Sequence, residues 1–121
     1  MAGPVSAEAV LDGSRTAQAV WDALPFAVPA QTWGDEIYFS IPVRVAPESP
    51  RETVALGDLA YWPPGTAFCI FFGPTPMSEA GEIRPASAVS VFGHVVGDPR
   101  QFNRVKAGTT VRVERSGPAR D

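Results

Sequence analysis

Proline and glycine punctuate this chain so densely that long helices are excluded from it. Thirteen prolines and eleven glycines stand among 121 residues. A proline inside a helix removes a backbone donor and clashes with the preceding turn, and glycine costs conformational entropy there. What remains possible is a fold of short strands and tight turns. The rest of the composition says that such a fold has a core. Apolar residues make up 45% and charged ones 19%, which is too apolar and too weakly charged for a disordered chain. The length suits one small domain. We expect it over residues 1–114, with residues 115–121 as a loose tail.

Charge and cysteine content exclude several classes of function. Ten basic against thirteen acidic residues leave a net charge of −3, whereas a nucleic-acid binder needs a basic face. The single cysteine, Cys69, forms no intramolecular disulfide, and with one histidine no structural zinc set can assemble. No cofactor or metal is expected. The longest uncharged run, residues 59–78, is broken by Pro63, Pro64, Gly65, Gly73, Pro74 and Pro76, so it cannot cross a bilayer as a helix. The first residues, Met1-Ala2-Gly3-Pro4, carry neither the basic nor the apolar region of a signal peptide. These readings point to a soluble, cytoplasmic protein.

One short helix is predicted over about residues 14–24. Ser14 is a suitable N-cap, Ala17, Val20, Trp21 and Leu24 share one apolar face, and Pro25 ends the run. A weakly alternating strand over residues 5–11 precedes it, across the Asp12-Gly13 turn. Residues 36–41 alternate, with Ile37, Phe39 and Ile41 on one face and Glu36, Tyr38 and Ser40 on the other. Residues 59–62 form a strand stopped by Pro63-Pro64-Gly65. Residues 67–72 are apolar on both faces, which predicts a central strand covered on both sides. Further strands are expected at residues 89–96 and 109–113, with loops at 47–52 and 73–85 and one helical turn within 97–106. The pattern is that of a small, mainly β barrel or sandwich with one helix packed on it.

The stretches Thr32-Trp33-Gly34-Asp35-Glu36-Ile37-Tyr38-Phe39, Gly57-Asp58-Leu59-Ala60-Tyr61-Trp62-Pro63-Pro64-Gly65, Phe71-Phe72-Gly73-Pro74-Thr75-Pro76 and Ile83-Arg84-Pro85-Ala86-Ser87-Ala88-Val89 follow one another in this order. Together they resemble the cyclophilin-like family of small bacterial and archaeal proteins. The resemblance covers most of the chain, from the helix to Val113. It implies a closed, cyclophilin-type β-barrel with one flanking helix. It implies no particular activity, since the family is one without an established function and a fold does not carry function with it. Prolyl isomerases of this fold carry an arginine-phenylalanine-glutamine set on the outer barrel face, and no stretch here resembles the motif that supplies it. Relatives begin with an extra apolar strand, where this chain has only residues 1–4 ahead of the matching segment. A barrel without that strand has an open edge that a second copy can pair with, so a homodimer is expected.

Ligands of cyclophilins bind outside the barrel, so outward polar residues are the candidates. Glu36 suits a general acid or base, with Tyr38 beside it on the same face; the alternative is a solvated strand face. Arg84 could clamp a carboxylate or phosphate bidentately, or anchor its loop by pairing with Glu82, Glu36 or Asp58. Trp62, next to the rigid Pro63-Pro64 turn, offers either a pocket wall or a plug at a barrel end. Phe72, Thr75 and Ser87 border the same groove as ligand-binding candidates. Cys69, among Phe68, Ile70, Phe71 and Phe72, reads as a buried and inert thiol. The lone His94 reads as a partly exposed strand residue, without a partner for catalysis. The expected function is binding of a small molecule or peptide in an aromatic and polar groove, with an unidentified reaction at Glu36, Tyr38 and Arg84. The alternatives are a prolyl isomerase, by analogy of fold, and a protein-interaction module.

Overall fold

The computed structural model describes residues 1–116. Eight strands and one helix follow in the order β1 (Ala9–Leu11), α1 (Arg15–Ala23), β2 (Phe26–Pro29), β3 (Gln31–Thr32), β4 (Glu36–Ser40), β5 (Asp58–Trp62), β6 (Ala67–Phe71), β7 (Ser90–Val95) and β8 (Thr110–Val113). Short 3-10 turns stand at Pro63–Gly65 and Pro99–Arg104. Mainly β with one short helix is therefore the architecture. The strand before the helix is shorter than expected, and β2 and β3 are separate strands that alternation did not resolve. No helix among the described residues is long and apolar enough to cross a membrane.

The helix forms where its cap places it. Ser14 Oγ accepts from the Ala17 N–H at 3.1 Å, which satisfies one of the donors left free in a first turn. Thr16, Ala17 and Val20 face the core. A second cap comes from far along the chain. The Glu48 carboxylate accepts from the Arg15 N–H at 3.1 Å, the Thr16 N–H at 2.8 Å and the Thr16 hydroxyl at 2.7 Å. The Glu48 N–H in turn donates to the buried Ser90 hydroxyl at 2.8 Å. Hydrogen bonds from Thr16 and Arg15 hold the Glu48 carboxyl below the usual 4.5. Stability from this clasp is full above that value and is lost as the pH falls through the lower folded value. Glu48→Gln should lower the urea midpoint at neutral pH and leave it unchanged once the native carboxyl is protonated. An equal loss in both conditions contradicts the clasp.

The main core lies between one face of the large sheet, the small sheet and α1. Ile37, Phe39, Leu59, Tyr61, Phe68, Phe92 and Val111 are buried together there. Phe39 and Phe68 stack with centroids 4.9 Å apart, and Phe92 meets Phe68 edge-on at 5.2 Å. Phe26 of β2 closes this cluster edge-on at 6.2 Å from both Phe39 and Phe68. The polar tip of Tyr61 is satisfied: its hydroxyl donates to the Val43 carbonyl at 2.7 Å. As expected from its apolar sequence, β6 is buried at every position, flanked by β4 and β5.

The ladders do not close into a barrel. A six-stranded sheet runs β1-β7-β5-β6-β4-β3, and a separate two-stranded sheet pairs β2 with β8. The chain crosses from the small sheet to the large one at Ala30. Its N–H donates to the Thr109 carbonyl and its carbonyl accepts from the Gly108 N–H, both at 2.8 Å, which continues the β2 ladder past Pro29, just ahead of β8. The first residues cover an edge of that strand: Ala2 bridges to Val111, and Met1 exchanges hydrogen bonds with Arg112. At the other end, Arg115 meets the helix. It lies 5.2 Å over the Trp21 ring and donates to the Trp21 carbonyl at 2.8 Å. The remainder of the expected tail, residues 117–121, lies outside the described residues.

Candidate functional site

Strand alternation places Glu36, Tyr38 and Ser40 on the sheet face away from the main core, opposite Phe71, Cys69 and Ala67 of β6. On β5, Ala60 and Trp62 stand opposite Cys69 and Ala67. A floor of small side chains thus runs between two half-buried aromatic rims, Tyr38 and Trp62. This face is covered. Residues 47–57 and 72–89 fold over it, joined by bridges between Arg51 and Val89 and between Val54 and Ile83. Val54, Ala60, Ala67, Cys69, Phe71 and Val89 form a second small core there, against which Tyr38, Trp62 and Ile83 pack.

Glu36 is consequently buried, at 6% exposure, rather than solvated. Its cover is built from glycine geometry. The turn Trp33–Glu36 is closed by reciprocal backbone bonds, with Gly34 at a φ of +59°. A Cβ on Gly34 would stand 2.8 Å from Pro76 Cδ, so only glycine lets the turn seat against the Gly73–Pro76 loop. The Asp35 N–H donates to the Pro74 carbonyl and the Phe72 N–H to the Asp35 carbonyl, both at 2.9 Å. No cation pairs with the Glu36 carboxyl among the described residues. Burial pushes it up to about 7, and the neighbouring Cys69 thiol, also 3.9 Å from the Ala67 carbonyl, offsets only part of that rise. Cys69 is itself 1% exposed, and burial together with the carboxylate beside it pushes the thiol far above its usual range. A buried carboxyl that changes charge near neutrality can give or take a proton.

The remaining candidates fasten the cover. The Trp62 indole N–H donates to the Ser87 hydroxyl at 2.7 Å, and its ring lies on Gly65. The Thr75 hydroxyl donates to the Arg84 carbonyl. The Ser78 hydroxyl accepts from the N–H groups of Thr75 and Arg84, both at 3.0 Å. The Arg84 guanidinium grips Glu82 at 2.8 and 3.2 Å and lies 3.7 Å from Glu52. Those carboxylates raise its pKa, and Glu36 is not among its partners. Of the two arrangements open to Arg84, the loop anchor with Glu82 is present. Glu36, Tyr38 and Trp62 therefore share one face, while Thr75, Arg84 and Ser87 pin its cover. Phe72 packs into the main core and borders a separate cleft. His94 is exposed on β7, opposite Val10.

That cleft holds about 700 Å³ and is open to solvent. It lies between the loop at residues 72–83 and the Pro99–Arg104 turn, with Leu56 and Ile83 in its lining and Asp35, Glu79 and Arg100 among its charged groups. None of the three charged groups was singled out from the sequence. The available signal was the pair Gly34 and Gly73, of which the first precedes Asp35 in sequence and the second lies against its side chain.

A family model described as cyclophilin-like matches residues 1–114. The fold is also similar to the solution structure of a hypothetical protein from Archaeoglobus fulgidus, which is 49% identical in sequence. That match has a TM-score of 0.70 and covers 84% of this chain and 77% of the other. Among curated proteins, nothing matches the chain.

Proposed function

The chain belongs to the cyclophilin-like family, and from that premise we propose that the face carrying Glu36 binds a small molecule or short peptide and exchanges a proton with it. The observation that carries this reading is the buried Glu36 carboxyl, which no cation pairs with among the described residues. Burying a charge without a partner is costly, and carboxyls held near neutrality are concentrated at sites of function. Tyr38 supplies a half-exposed aromatic edge two residues along the same strand, and Trp62 the opposite rim. Arg84, Thr75 and Ser87 act by holding the loop that shuts Glu36 from water. We read the two sheets, which share one aromatic core through Phe26, Phe39 and Phe68, as two walls of a cyclophilin-type barrel interrupted at Ala30.

A fragment screen by thermal shift tests the binding. Compounds bound at this face should raise the melting midpoint by mass action, differently at pH 6 and pH 8, and that difference should vanish in Glu36→Gln. If every stabilising fragment ignores both the pH and the substitution, the reading fails.

Prolyl isomerase activity is not part of the proposal. The face presents Glu36, Tyr38, Cys69 and Trp62 in place of an arginine-phenylalanine-glutamine set. Exchange of a proline peptide, which takes tens of seconds or more unaided, should proceed at its uncatalysed rate with the protein present; enzyme-like acceleration would revive the isomerase. We further propose that two copies pair through the short outer strands β1 or β3, each of which ends the large sheet. Light scattering over a dilution series should find twice the 12.9 kDa chain mass; a constant single mass removes the dimer.

A further inference from the structure

We propose that the cleft between the loop at residues 72–83 and the Pro99–Arg104 turn binds a small organic cation, an ammonium or guanidinium group carried on a short apolar body. The cleft is distinct from the Glu36 face, because Asp35 precedes Glu36 and points to the other side of the turn against Gly73. Its volume of about 700 Å³ lies within the range of small-molecule sites. Leu56, Phe72 and Ile83 supply apolar surface for the body of the ligand, and Leu56 remains 46% exposed with nothing over it.

The charges on the rim choose the sign of the ligand. Glu82 is held by Arg84, and Arg100 is held by Asp98 at 3.1 Å. The carboxylates of Asp35 and Glu79 have no hydrogen-bond or ion-pair partner among the described residues. Two carboxylates without a bonded partner among the described residues therefore border an apolar floor, Glu79 within the field of Arg84, and the one cation of the lining, Arg100, is paired with Asp98. Asp35 is also placed rather than free to swing. Gly34 admits the left-handed turn that carries it, and a Cβ on Gly73 would collide with its carboxyl group. Gly73 leaves room that this carboxylate fills, and the room at Gly34 is filled by Pro74, Thr75 and Pro76.

Hexylammonium chloride is the probe, followed by backbone amide NMR shifts of the full chain. The amides of Asp35, Gly73, Glu79 and Arg100 should move together and saturate, whereas hexanoate, with the same body and opposite charge, should leave them in place. Asp35→Asn and Glu79→Gln should each weaken hexylammonium about two- to fivefold, as expected for exposed charge pairs. Because both side chains are exposed, the variants should keep the wild-type melting midpoint. A salt titration on the unaltered protein gives the same information without mutation: binding should weaken as screening increases. Glu36→Gln should bind hexylammonium as the wild type does, which separates this site from the Glu36 face. Absence of saturable shifts, equal binding of hexanoate, or affinity indifferent to salt and to both substitutions would overturn the proposal.

Discussion

Replacing Glu36 by glutamine should make the protein more stable, not less, above neutral pH. The folded carboxyl stands at about 7 against 4.5 in an exposed chain, because burial disfavours its charge. Between those values the folded state holds a proton that the unfolded state has released. Stability from this proton is complete below 4.5 and is lost as the pH rises through about 7. The difference corresponds to about 3 kcal/mol, a large part of the 5–15 kcal/mol typical of a whole domain. Glutamine has nearly the same shape and no charge to lose, so the variant should recover up to about 3 kcal/mol at pH 8 and little at pH 4. Its own amide needs a partner in the same place, which trims the gain. Urea denaturation of both proteins across this range checks the result. Parallel curves, with the variant weaker throughout, would mean that Glu36 is an ordinary hydrogen-bonding group.

The largest loss should come from Phe68→Ala. Phe68 stacks on Phe39 and meets Phe26 and Phe92 edge-on, so both sheets touch this one ring. Its removal forfeits the transfer free energy of the ring and leaves a cavity among aromatic neighbours that cannot collapse into it. Such truncations cost about 3–5 kcal/mol. Phe68→Leu keeps most of the volume and should cost well under half as much. If alanine and leucine are equally mild, the two sheets do not share a core at this point.

What could be read in the residues, and what could not, divides along physical lines. Ser14 and the apolar spacing behind it located the helix, because a cap and a 3.6-residue period are local properties. The unbroken apolar run at β6 announced a strand covered on both faces for the same reason. Alternation assigned Glu36 and Tyr38 to the correct face, but it carries no information about what lies on top of that face. The cover comes from segments whose composition reads as surface loop, and the isolated Val54 and Ile83 within them were the only hint that they pack inward. Arg84 was legible as one of two possibilities, and its neighbour Glu82, two residues away, is the partner found. Closure was not legible. Whether β2 joins β4 or β8 depends on pairing across the length of the chain, and β8 is the partner found. The long-range cap by Glu48 on Thr16 was hidden for the same reason.

The account rests on Glu36 being a buried carboxyl that changes charge near neutrality. Side-chain carboxyl carbon shifts, followed by NMR through a pH titration and assigned with the Glu36→Gln variant, measure this directly. A midpoint near 7 is the predicted result. A midpoint at the ordinary 4.5 would mean that the carboxyl is solvated or paired, and the proposed site on this face would have no chemical basis.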